Sequence, residues 1–180
     1  MKKLITLTTI LILVLGGYAF YNYQKKAHTD DGPTPEALSE ISKYKYTETY
    51  VDPSFGFSFN YPEGFSVLQV PDEDGGAILI IQNSQKEIGL QIAITPFGEG
   101  YIQVTPEIIK GEMIDMTIEN SREVSVGTLG KGLAFESDNE NFGGASSEIW
   151  FIVRSHLYQM TTYAREKAFL QGLFATWKFN

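Results

Sequence analysis

Cysteine is absent from the 180 residues. That excludes a disulfide framework, thiol catalysis, a thiolate zinc site and a lipid-modified cysteine. Histidine is scarce, with only His28 and His156. Nucleophilic catalysis needs a nucleophile beside an oriented base. His28 falls in a polar linker and His156 in an expected turn, where a solvated ring is the simpler account. No G-x-S-x-G elbow occurs, since "GGASSE" at 143–148 does not match it. "GTLGKGLAF" at 127–135 lacks the spacing of a phosphate loop. Basic charge is also short, with 14 Lys and Arg against 22 Asp and Glu. Lys2, Lys3, Lys25 and Lys26 flank the first hydrophobic run, and every acid lies from Asp30 onward. A body this acidic is a poor partner for nucleic acid, whose affinity comes mainly from phosphate neutralisation. No cofactor motif is present.

What is present begins with "MKKLITLTTILILVLGGYAFYNYQKK", which carries no charge from Leu4 to Gln24. About 20 such residues cross a bilayer core of about 30 Å. Tyr18, Phe20, Tyr21 and Tyr23 suit an aromatic belt at the far end. The segment 1–23 therefore reads as a single-pass signal-anchor, with membrane contact through 4–23. The positive-inside bias puts the N-terminus in the cytoplasm and the C-terminal domain outside it. A cleaved signal peptide has similar charge and length, but Val14-Leu15-Gly16 is a poor small-x-small site. Residues 24–46 are polar, with Gly32, Pro33 and Pro35, and read as a tether. Residues 47–180 are long enough for one domain with its own core.

From Tyr50 the pattern is mostly period two, the signature of strands. "FGFSFNYPEGF" at 55–65 places Phe55, Phe57, Phe59 and Tyr61 on one side. An aromatic stripe at this spacing is more often core than ligand platform. Pro62 ends the strand, and Pro62-Glu63-Gly64 is turn chemistry. Further strands are expected over 65–70, 77–81, 88–94, 123–129 and 133–136, the last two joined by Gly130-Lys131-Gly132. A hairpin is expected from 149–153 and 157–163 through Arg154-Ser155-His156. Thr105-Pro106-Glu107 starts a helix that runs to about Asn120. A second amphipathic helix follows from Arg165, with Phe169, Leu170, Leu173, Phe174 and Trp177 on one face. Hairpin-ordered strands with two helices predict an α+β domain: a central antiparallel sheet of six or more strands, the helices packed on it.

Three stretches, in this order, carry a resemblance. They are "YVDPSFGFSFNYPEGFSV" at 50–67, "SEIWFIVRSHLYQMTTYA" at 147–164 and "REKAFLQGLFATWKF" at 165–179. The chain resembles the PsbP-like domain, the fold shared by the photosystem II extrinsic subunit P, the Ran-binding Mog protein and bacterial DcrB-like proteins. The resemblance implies an α/β/α sandwich with helices on both faces of the sheet. It also implies no catalysis, since members mostly bind other proteins or membrane complexes. No functional residue is carried over, and the lipid-attachment cysteine of bacterial lipoprotein members is missing.

The leading functional expectation is a membrane-anchored, non-catalytic extracytoplasmic domain that binds a protein partner or membrane complex. Two alternatives remain open, a small-ligand or calcium-responsive binding module and a carboxylate-dependent hydrolase. Asp72, Glu73 and Asp74, or Asp138, Asn139, Glu140 and Asn141, offer hard oxygen ligands for calcium, although neither set has EF-hand spacing. Asp72, Asp74, Asp138 and Glu140 are the metal candidates. Glu136 and Glu148 are the carboxylates available to a hydrolase.

Overall fold

The structure, a computed structural model, describes residues 43–83, 85, 88–98, 103–113, 115–139 and 144–180. The chain runs β1 (Glu48–Asp52), β2 (Phe57–Tyr61), β3 (Ser66–Pro71), β4 (Ala77–Asn83), β5 (Ile88–Pro96), α1 (Pro106–Glu112), β6 (Glu119–Val126), β7 (Gly130–Asn139), β8 (Gly144–Val153), β9 (His156–Tyr163), α2 (Lys167–Ala175) and β10 (Lys178–Phe179). Seven strands form one sheet in the order β3-β4-β5-β9-β8-β7-β6, and three form another in the order β1-β2-β10. Every pairing is antiparallel.

Alternation decides which side chains go inside. Leu79 and Ile81 of β4, Leu90, Ile92 and Ile94 of β5, and Tyr158 and Met160 of β9 share the main core. Phe57 and Phe59 of β2 and Phe169, Leu170 and Leu173 of α2 belong to the same cluster. The second half of β8, Ile149–Val153, is apolar on both sides. Ile149, Phe151 and Val153 enter the main core, whereas Trp150 and Ile152 join a second cluster with Leu133, Phe135, Val104, Ile109 and Met116. A continuous apolar run is what a strand buried on both faces requires. The β8–β9 turn puts Arg154 and Ser155 at φ 50° and 60°, the left-handed pair of a type I′ hairpin.

The α/β/α sandwich is not what forms. The described domain is mostly strand, in two antiparallel sheets, with helices of only seven and nine residues. Two local causes account for the difference. First, α1 begins as the sequence predicts, with Thr105 as N-cap and Pro106 in the first turn, but it stops at Glu112. Gly111 weakens its last turn, and Met113 leaves helical geometry at φ −129°. Chain expected to be helical then enters β6 at Glu119. Second, the aromatic strand β2 does not join the large sheet. It pairs with β1 and β10 in a separate layer, and Phe57 meets Tyr158 of the large sheet edge-on at 6.0 Å.

The single-pass membrane architecture has no counterpart in the described structure. Among the described residues, no helix is long and apolar enough to cross a membrane. The anchor expected over 4–23 lies outside the described residues, as does most of the tether. Its last residues are described: Tyr46 donates its hydroxyl to the Phe169 carbonyl at 3.0 Å, and Tyr44 packs on Phe169 at 5.4 Å between ring centres. Burial raises the Tyr46 hydroxyl's pKa well above the ordinary tyrosine range.

The Tyr46 ring lies directly over Gly172, so a Cβ there would collide with the ring. Alanine in a helix interior gains roughly 0.5–1 kcal/mol over glycine. Overpacking typically costs about 1–3 kcal/mol, so the collision should dominate. Gly172→Ala is expected to lower the urea midpoint. A raised midpoint would show that Tyr46 yields freely.

Candidate functional site

The acidic candidates do not converge. Asp72 and Asp74 lie in the β3–β4 turn, where the Asp72 amide donates to Gly76 O at 2.9 Å and Gly75 donates to Asp72 O at 3.2 Å. Asp138 is exposed near the end of β7. Strands β4 and β7 are four strand spacings apart in the sheet, about 19 Å at roughly 4.8 Å each. Glu140 and Asn141 lie outside the described residues. Among the described residues, no group of three or more Asp, Glu or His side chains is placed to hold a metal ion.

The two hydrolase carboxylates face opposite ways. Glu148 stands across from Phe135, and Glu136 across from Ser147, so the pleat puts them on opposite faces of the sheet. Glu136 receives the Lys167 ammonium at 2.5 Å and Asn120 Nδ2 at 2.7 Å. Lys167 is the main reason its carboxyl titrates below the ordinary range. His156 holds Nδ1 2.9 Å from the Arg154 carbonyl, and its ring meets Phe55 edge-on at 5.3 Å. His28 lies outside the described residues.

Glu148 is the one buried acid among these candidates. Its carboxylate accepts from Thr161 Oγ1 at 2.5 Å, Ser146 Oγ at 2.7 Å, Trp150 Nε1 at 3.0 Å and Asn139 Nδ2 at 3.4 Å. Ser137 Oγ is also buried and has no hydrogen-bond partner. Burial still outweighs the four donors and holds the carboxyl above the ordinary range. In the sequence, Ser146-x-Glu148-x-Trp150 alternates and hints at one face. Thr161 arrives through the β8–β9 register, which the two-residue turn at Arg154-Ser155 sets and the expected turn through His156 would shift by one residue.

A cleft of about 310 Å³ lies between the β6–β7 turn and the C-terminal segment. Leu129, Phe174, Trp177 and Phe179 supply apolar walls and Lys178 a cation. Trp177 Nε1 is buried without an acceptor. Nothing in the sequence singled out this group.

The two outer strands of the large sheet differ sharply. Strand β6 carries Glu119, Arg122 and Glu123 and a register irregularity between Glu119 and Arg122, which are common guards of a sheet edge. Strand β3, Ser-Val-Leu-Gln-Val-Pro, has no charge at all. Leu68 is 53% exposed and Val70 39% exposed. They pair with the half-buried Ile80 and Ile78 of β4, so the apolar strip continues onto the sheet face. Acids bracket it, Glu63 before and Asp72, Glu73 and Asp74 after. On its other side, Gln69 Nε2 donates to Asp52 Oδ2 at 3.0 Å, and the Tyr50 hydroxyl bonds Gln69 Oε1 at 2.9 Å. These bonds tie β3 to the small sheet. No family model matches the chain, and no curated protein matches it.

Proposed function

We propose that the chain is a non-catalytic binding domain for a protein partner. One observation carries this reading. Strand β3 is an outer strand with neither charge nor bulge, and it exposes Leu68 and Val70 beside Ile78 and Ile80. An apolar edge guarded only by Pro71 at its end invites association, and contiguous exposed apolar surface marks interaction sites. The opposite edge, β6, is charged and irregular. The separation of Glu136 and Glu148 onto opposite faces supports binding rather than chemistry.

The test is crosslinking of the full chain in intact cells, followed by mass spectrometry of what is captured. The double substitution Leu68→Lys with Val70→Lys serves as comparison. Both side chains are exposed, so the melting temperature should change little. A recurrent protein captured by the native chain, and lost by at least tenfold with the double variant, is the expected result. Equal capture by both chains would move the site away from β3. Measurable turnover with no captured protein would replace the reading.

A further inference from the structure

The mode of binding follows from the backbone of β3. Asp72 continues the β3–β4 register and donates its amide to Gly76 O. In an antiparallel ladder, alternate residues face the partner strand. Ser66, Leu68 and Val70 therefore direct their backbone groups to β4, and Val67, Gln69 and Pro71 direct theirs outward. Pro71 fits this parity, because proline is tolerated where its missing N–H would face away from the sheet. The outer edge thus offers the N–H and C=O of Val67 and Gln69 and the C=O of Pro71.

Charge selects the occupant. A second copy pairing antiparallel, with Leu68 opposite Val70 of its partner, would bring Ser66 opposite Asp72 and set the Glu63 turn of each copy near the acidic Asp72–Asp74 turn of the other. Acid would meet acid at both ends. The chain as a whole carries a net charge of −8. An extended segment with basic ends has no such conflict.

We propose that β3 takes an extended peptide segment of the partner as an eighth, antiparallel strand. The reading rests on the protein-binding function above. The segment has apolar residues opposite Leu68 and Val70, a polar residue opposite Gln69, and Lys or Arg at each end beside Glu63 and Asp72–Asp74. Main-chain hydrogen bonds supply affinity in this mode, and alternate side chains supply specificity.

A display library of random twelve-residue peptides, panned on the full chain, tests it. The Leu68→Lys, Val70→Lys variant is the counter-target. Enriched peptides should alternate apolar and polar residues between basic ends. N-methylation of the residue opposite Gln69 should weaken binding at least tenfold, because it removes a backbone donor. Replacing the terminal Lys or Arg by Glu should weaken it comparably, with affinity falling as salt rises. Enrichment of peptides with helical spacing, or an N-methylated peptide that binds unchanged, would overturn strand addition. No enrichment, in a chain that still captures a protein in cells through β3, would overturn it and leave the binding function standing. Failure of both experiments would remove both.

Discussion

Phe57→Ala is expected to remove about 3–5 kcal/mol of stability, the range for truncating a large buried aromatic. That is a large share of the roughly 5–15 kcal/mol that holds a domain folded. Phe57 is fully buried. Its ring stacks on Trp177 at 4.3 Å and on Phe59 at 6.3 Å, and meets Tyr158 edge-on at 6.0 Å. The strand around it has partners on both sides, since Phe57 pairs with Asp52 of β1 and with Phe179 of β10. A cavity here therefore loosens the seat of Trp177 and the C-terminal strand together. Phe55, half-buried in the preceding turn, is the control. Phe55→Ala is expected to cost less than half as much. Urea unfolding followed by tryptophan fluorescence measures both. Equal, small losses would mean that the aromatic stripe is a surface platform rather than core.

This stripe also marks how far local pattern reaches. Alternation and turn chemistry are properties of neighbouring residues, so β3, β4, β5 and the β8–β9 hairpin could be read directly from them. The layer to which β2 belongs depends on Phe179, far away in the chain, and no local signal encodes that pairing. Turn placement failed where glycines competed. Gly127, at φ 55°, takes the left-handed position, and β7 already begins at Gly130. Gly132 lies inside β7 for a different reason. A Cβ there would come within 2.7 Å of the Trp150 carbonyl and 2.9 Å of Phe151 Cβ, so close strand approach demands glycine. The β3 edge was half legible. Its apolar, charge-free sequence was visible, but its outer place in the sheet was not. The acid network was less so, because Glu148 appears in the sequence as one more carboxylate beside apolar residues.

Glu148→Ala is expected to lower stability by about 3–5 kcal/mol at pH 4, through a buried cavity and donors left without an acceptor. Thr161, Ser146, Trp150 and Asn139 all lose the same partner. Glu148→Gln keeps the shape and one carbonyl acceptor, and the hydroxyls of Thr161 and Ser146 can turn to accept from its amide. At pH 4 its cost should stay within about 1 kcal/mol. The pH dependence then separates the two protonation states. Burial raises the folded-state pKa of Glu148, whereas an unfolded glutamate titrates near 4.3. Between those values the native state binds more protons than the unfolded one, so stability falls as pH rises. The contribution is complete below about 4.3 and is lost as pH climbs through the raised folded value. The native chain should therefore weaken relative to the Gln variant on going from pH 4 to pH 8. Taking the difference between the two chains cancels carboxylates common to both, including Glu136, whose lowered pKa works in the opposite direction. If the native chain instead gains on the Gln variant over this range, the four donors outweigh burial, and Glu148 is a buried anion held by its hydrogen bonds.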